Sequence, residues 1–128
     1  MPHLILDYSA NMEERVDIAA LCNCIRLAAI ETGVFPKAGV RVRALKADHV
    51  SIADGNNENG YIDISVRLRE GRDQETRERA THHIFTATEA FLKPVMDKHP
   101  VALSMEMRNI DASLSPKSNS IRNFMKED

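Results

Sequence analysis

The chain has 128 residues, a length typical of one domain with a single hydrophobic core. Its formal net charge of −2 lacks the basic excess of nucleic-acid-binding proteins, so no nucleic-acid partner is expected. No apolar run approaches the length of about eighteen residues that marks a membrane-spanning helix, and the N-terminus lacks the features of a signal peptide. We therefore expect a cytoplasmic protein with no membrane partner.

The first half of the chain is predicted to begin with a strand and a helix. The apolar run in residues 2–8 suits a strand, and Pro2 is tolerated at its start, where no ladder hydrogen bond is needed from its nitrogen. Asn11 and Glu14 resemble a capping box that would begin the helix, and Gly33 followed by a proline is typical of a helix stop. One apolar stripe at helical spacing follows the capping box: Ile18, Leu21, Cys22, Ile25 and Ala28.

The same order of elements then repeats. Residues 38–48 alternate apolar and basic side chains as a strand, and residues 61–69 alternate again after a polar turn. Asp73 is the predicted N-cap of a second helix, which Pro94 is expected to end or kink, and residues 101–110 form the last strand. The buried positions predicted for this half are Ile62, Ile64, Val66, Leu68, Ala80, Ile84, Ala87 and Phe91.

Cys22 and Cys24 are predicted to be packed, reduced thiols. Residues two apart in a helix point to different faces, so a disulfide between these two has poor geometry. A zinc site needs more ligands than two thiols, and His82 and His83 lie far away in the sequence. We therefore expect no bound metal.

Together these elements predict an α+β fold in one domain, residues 1–128. Two β-α-β halves, roughly residues 2–48 and 60–110, form a four-stranded sheet with two helices on one face, followed by a polar tail. Leu4 and Leu6 alternate with the equally apolar Ile5, which suggests that the second face of the sheet is also covered. Self-association would cover it, so we expect a homo-oligomer.

Four segments in this order resemble the 5-carboxymethyl-2-hydroxymuconate isomerase family of the tautomerase superfamily. They are PHLI (residues 2–5), TGVFPKAGVRVR (residues 32–43), IADG (residues 52–55) and GR before the second helix. The resemblance implies a duplicated β-α-β fold assembled as a homotrimer. It also implies an isomerisation without metal or cofactor, acting on an unsaturated hydroxy tricarboxylate from the catabolism of homoprotocatechuate-type aromatic compounds.

The resemblance assigns catalysis to Pro2, Arg41 and Arg72, and both arginines would also bind substrate. The amine of Pro2 is free only after Met1 is removed. A terminal amine has a pKa of about 7.7–8.0, against about 10.4 for lysine, and burial or nearby positive charge lowers it further. Such a group suits the transfer of a proton from an enol oxygen to carbon. Guanidinium groups bind carboxylates through paired hydrogen bonds and stabilise developing negative charge.

Two other functions are compatible with the same residues. One is a tautomerase that acts on another unsaturated 2-oxo acid, and the other is a non-catalytic oligomeric binding module. In the module, Pro2 merely begins a strand, Arg41 lies on a solvated strand face, and Arg72 flanks a helix. A positive side chain is disfavoured at a helix start, so the position of Arg72 favours a functional role over a purely structural one.

Overall fold

The computed structural model describes residues 2–126, whose centre is a four-stranded sheet with both helices packed on one face. The predicted α+β fold of two β-α-β halves is confirmed. Within residues 2–126, neither helix combines the length and the apolar character that crossing a bilayer requires. The strands are β1 (His3–Ser9), β2 (Arg41–Ala47), β3 (Gly60–Arg69) and β4 (Val101–Ile110), and the helices are α1 (Ile18–Glu31) and α2 (Gln74–Met96).

The two halves of the chain meet in the middle of the sheet, whose strand order is β2-β1-β3-β4. β1 and β2 are parallel, β3 and β4 are parallel, and the central pair β1–β3 is antiparallel. Each parallel pair needs a crossover, which α1 provides in the first half and α2 in the second. This arrangement places the N-terminal end of β1 beside the C-terminal end of β3, where His3 pairs with Arg67.

The core lies between the sheet and the two helices. Leu4 and Leu6 of β1 are fully buried there, and so is every second residue of β3 from Ile62 onwards. The predicted stripe of α1 is confirmed by the burial of Leu21 and Ile25. In α2 the buried set is Ala80, Ile84, Thr88 and Leu92, while Ala87 and Phe91 are partly buried.

The opposite face of the sheet is mostly polar, but it carries the expected Ile5 and also the exposed Leu45. The strand register aligns four basic side chains across this face. Ile5 is half-buried on it, and its neighbours on the flanking strands are Arg43 and Ser65. The homo-oligomer prediction therefore has limited support from apolar side chains on this face and depends mainly on the family resemblance. The aligned basic residues are Arg41, His3, Arg67 and Arg108.

The start of α1 also differs from the predicted capping box. The N-cap is Asp17, whose Oδ1 accepts a hydrogen bond from the backbone N–H of Ala20 at 3.0 Å. Asn11 instead lies in the 3-10 turn Ala10–Glu14, where its Nδ2 donates to the carbonyl oxygen of Asn59 at 2.9 Å. A contact across 48 residues thus replaces the local cap.

The two predictions for α2 have different outcomes. Asp73 is its N-cap as predicted, because its Oδ1 accepts from the N–H of Thr76 at 2.8 Å. Pro94 does not end the helix, which continues to Met96. A proline costs a helix the one hydrogen bond that its nitrogen would donate, and here the last turn retains the bond from the N–H of Asp97 to the carbonyl of Lys93 at 2.9 Å.

Candidate active site

Pro2 is buried at the start of β1, where it lines a cavity of about 190 Å³. The wall of this cavity comes from four places in the chain: the N-terminus, the loop after α1, the end of β3 with its connection to α2, and the C-terminal segment (residues 111–126). Its lining residues are Pro2, Phe35, Pro36, Leu68, Arg69, Arg72 and Lys117.

The apolar part of the cavity is held by the core. Gly33 ends α1 with a positive φ of 69°, a conformation that glycine adopts without strain. The chain can then turn so that Phe35, which is 6% exposed, packs into the core next to Pro2. Leu68, the last buried residue of β3, adds an aliphatic wall. The ring of Pro2 therefore lies in an environment that excludes most water.

Arg72 is held in this cavity by backbone carbonyls. Its Nε and Nη2 donate to the carbonyl oxygen of Val34 at 3.3 and 2.9 Å, and its Nη1 donates to the carbonyl oxygen of Arg69 at 3.1 Å. These bonds tie the loop after α1 to the end of β3. A guanidinium has five N–H donors, so the side chain is positioned while some donors remain for a ligand.

The charge around the cavity has one sign. Arg69, Arg72 and Lys117 line it, and no carboxylate is among the described residues that do so. Three positive groups close together repel one another unless an anion lies between them. The cavity beside Pro2 is therefore suited to a ligand with several negative charges.

Arg41 lies outside this cavity. It is the first residue of β2 and lies on the polar face of the sheet, where its Nη2 is 3.1 Å from Nε2 of His3. Its Nε is buried without a hydrogen-bond partner among residues 2–126. Arg41 is not among the residues that line the cavity at Pro2. The structure thus brings Pro2 and Arg72 together and separates Arg41 from them.

Sequence reasoning missed two cationic residues of the cavity. Arg69 precedes Arg72 by only three residues, but the alternation of residues 61–69 gives no indication of a site there. Lys117 lies in the polar tail, for which the sequence predicted no function. No spacing or periodicity in the sequence connects the tail with residue 2, so only the folded chain reveals this neighbour.

The two cysteines are free thiols, as predicted. Both are partly buried in α1, and burial raises the pKa of each thiol above its usual value. The Sγ of Cys24 lies 3.8 Å from the carbonyl oxygen of Ala87, its neighbour in α2. A thiol with a raised pKa is a poor nucleophile at neutral pH, which agrees with a packing role.

His3 is surrounded by arginines on the polar face. Its Nε2 is 3.1 Å from Arg41 and its Nδ1 is 3.3 Å from Arg43. Burial lowers the pKa of His3 most, and the positive charges of Arg41, Arg67 and Arg43 lower it further, from 6.5 to about 4. The imidazole is therefore neutral in the folded protein at neutral pH.

This lowered pKa predicts a loss of stability in acid. Between pH 6.5 and about 4 the unfolded chain binds a proton at His3 and the folded chain does not, so the free energy of unfolding falls as the pH drops through this interval. In a His3→Gln variant this part of the dependence should disappear. Urea unfolding of both proteins above and within the interval measures it. If the free energy of unfolding falls equally with pH in both proteins, the prediction is wrong.

The fold is shared with solved structures of other proteins. Solved structures with this fold include a symmetric trimer of a fused 4-OT protein, which is 19% identical and has a TM-score of 0.62, with 87% of each chain covered. At this identity the similarity concerns the fold alone. The fold that this chain shares with that structure is the duplicated β-α-β sheet that the resemblance to the tautomerase superfamily implied.

The sequence comparison identifies the family. The sequence model described as 5-carboxymethyl-2-hydroxymuconate isomerase matches residues 2–125, so the chain belongs to this family of isomerases. The 5-carboxymethyl-2-hydroxymuconate Delta-isomerase of Escherichia coli is 29% identical over 126 residues, which are 98% of this chain and 100% of the relative. The prediction that the chain is an isomerase is thereby confirmed.

Two solved structures agree with this assignment. The crystal structure of a 5-carboxymethyl-2-hydroxymuconate delta-isomerase is 28% identical, covers 100% of this chain and 95% of its own, and has a TM-score of 0.91. A 5-carboxymethyl-2-hydroxymuconate isomerase from Deinococcus radiodurans R1 is 22% identical, covers 98% and 95%, and has a TM-score of 0.88. The second structure supports the fold, and the first supports the fold and the family.

Proposed function

We propose that the protein converts 5-carboxymethyl-2-hydroxymuconate into its 2-oxo-3-ene isomer, with the amine of Pro2 as the group that moves the proton. The observation that carries this proposal is the position of Pro2, which is buried in a cavity lined by Arg69, Arg72 and Lys117. The name of the family points to the same substrate, a molecule with three carboxylates.

The proposed reaction is a proton transfer from oxygen to carbon. Once Met1 is removed, the secondary amine of Pro2 accepts the proton of the 2-hydroxyl group, and the O–H electrons form the 2-oxo group. The double bonds shift, and the amine returns the proton to the carbon that bears the carboxymethyl branch. Because one group acts as base and then as acid, a pKa near the working pH serves both steps. The apolar wall and the neighbouring cations favour the neutral amine.

Arg72 is proposed to bind a carboxylate at the reacting end of the substrate. Its guanidinium is already oriented by the carbonyls of Val34 and Arg69, so little freedom is lost when substrate binds. As the hydroxyl proton leaves, negative charge spreads over the dienol oxygen, and a fixed cation stabilises it. No metal or cofactor takes part in the proposed reaction.

Arg41 remains a proposed catalytic and substrate-binding residue, and its position suggests how it would act. Because Arg41 does not line the Pro2 cavity of its own protomer, we propose that it serves the Pro2 cavity of another copy of the chain. We therefore propose a homo-oligomer, a trimer as in the family resemblance, that works in the cytoplasm in the breakdown of homoprotocatechuate-type aromatic compounds. The mass of the assembly in solution tests this part of the proposal, and a monomer would refute it.

Two measurements test the proposed function. Intact-mass analysis of the purified protein reports whether Met1 is absent, and loss of the dienol absorbance of 5-carboxymethyl-2-hydroxymuconate reports turnover. We expect a processed N-terminus and rapid conversion. Turnover of other unsaturated 2-oxo acids, but not of this one, would favour a tautomerase with a different substrate. A processed protein without turnover of any hydroxymuconate would favour the binding module.

A further inference from the structure

Lys117 lies where three cavities meet. Besides the cavity at Pro2, it lines a second cavity of about 330 Å³ and a third of about 210 Å³. Pro36 is shared by the first and second cavities, and Arg69 by the first and third, so the three adjoin one another. Among residues 2–126, Lys117 alone lines all three cavities, so it lies where the cavity at Pro2 adjoins the other two.

The backbone around Lys117 is held on both sides. Before it, the N–H of Ala112 donates to Oε1 of Glu70 at 3.2 Å. After it, Nδ2 of Asn119 donates to the carbonyl oxygen of Ala38 at 2.9 Å. The C-terminal segment is thus tied to the end of β3 and to the loop before β2, which are the two walls of the cavity. Lys117 is placed between them by these bonds.

The ammonium group of Lys117 has no hydrogen bond or ion pair within residues 2–126. The cations nearest to it along the cavity walls are Arg69 and Arg72 in the first cavity and Arg122 in the second. Among the described residues, none that lines the three cavities is an aspartate or a glutamate. A positioned lysine without an acidic partner, beside further cations, is suited to an anion from outside the chain.

We propose that Lys117 determines specificity for a tricarboxylate by binding the third carboxylate, the one on the carboxymethyl branch. This inference rests on the proposed function, which supplies a substrate with three carboxylates. Arg72 is fixed beside Pro2 by the two loops and belongs with the reacting end. Lys117 lies where the same cavity adjoins two others, which offer room for a branch of the substrate. A substrate that lacks the branch leaves Lys117 without a ligand.

The test compares two substrates that differ only in the branch, 5-carboxymethyl-2-hydroxymuconate and 2-hydroxymuconate. In Lys117→Met we expect KM for the tricarboxylate to rise by about 10- to 100-fold, the scale of a charge-assisted hydrogen bond, with kcat nearly unchanged. Both constants for the dicarboxylate should change much less, so the readout is the ratio of kcat/KM between the two substrates. Lys117→Arg should recover most of the loss, since it restores a cation. Lys98→Met, at an exposed lysine after α2, is the matched control.

The outcomes separate this inference from the proposed function. Equal losses with both substrates would mean that Lys117 acts through structure or general charge, and unchanged constants would mean that it binds nothing, so either overturns the proposal. If the wild type turns over neither substrate, the proposed function fails, and calorimetry with propane-1,2,3-tricarboxylate and glutarate tests Lys117 directly. The inference is supported if the wild type binds the tricarboxylate more tightly than glutarate and Lys117→Met abolishes this difference. Equal binding of the two acids by the wild type refutes the inference.

Discussion

The Pro2→Ala variant is expected to lower kcat/KM for 5-carboxymethyl-2-hydroxymuconate by about 10²-fold or more, the scale of a lost general base or of a lost orientation. Alanine at position 2 still carries a terminal amine, but a primary amine on a freely rotating chain. The proline ring, by contrast, is buried in the cavity that Phe35 and Leu68 line, so its nitrogen can point in few directions. The variant therefore loses positioning more than basicity.

A fraction of the protein that retains Met1 is expected to lose more activity than Pro2→Ala. In that fraction the nitrogen of residue 2 belongs to an amide, which cannot accept a proton at neutral pH. Separating the two fractions by intact mass and measuring each rate isolates the contribution of the amine. The matched control is Pro36→Ala, since Pro36 is a proline of the same cavity whose nitrogen is always an amide. Wild-type turnover by the Met1-bearing fraction would exclude Pro2 as the base.

The Arg72→Ala variant is expected to lose about 10²-fold or more in kcat/KM, as is typical when a positioned electrostatic group is removed. It should also lose about 1–3 kcal/mol of unfolding free energy, because the carbonyls of Val34 and Arg69 lose their donor. Urea unfolding and steady-state kinetics on the same preparation measure the two losses. Kinetic constants close to wild type would remove Arg72 from the site.

Arg72→Lys distinguishes the two contributions of this side chain. A lysine restores the positive charge, but its compact ammonium cannot donate to two loops and a carboxylate in the planar geometry of a guanidinium. We expect stability to recover less than activity if charge is the main contribution to catalysis.

The Arg41→Ala variant is a separate test, and in the assembled protein we expect kcat/KM to fall by about 10²-fold, as for Arg72→Ala. Undiminished activity in that variant would mean that Arg41 serves only the polar face.

Much of the fold followed from local patterns in the sequence. The alternation in β3 predicted its four buried residues, and the spacing of Leu21 and Ile25 predicted the face of α1 that packs on the sheet. Asp73 was predicted as an N-cap because the residues that decide a cap lie within one turn of it. The same reasoning failed at Asn11, because its side chain bonds to the carbonyl of Asn59, a partner from another part of the chain.

The same difference between local and distant contacts explains which features of the site could be predicted from the sequence. The sequence by itself determined the order of the strands and helices and the proline at the start of β1, and the family resemblance supplied the proposed roles of Arg41 and Arg72. Only the tertiary structure decided that Arg72 and Lys117 share a cavity with Pro2 and that Arg41 does not line it. A local pattern determines which face of its own element a side chain occupies. The cavity joins residues from positions 2, 35, 72 and 117, and their meeting depends on how the sheet, the loops and the C-terminal segment pack together.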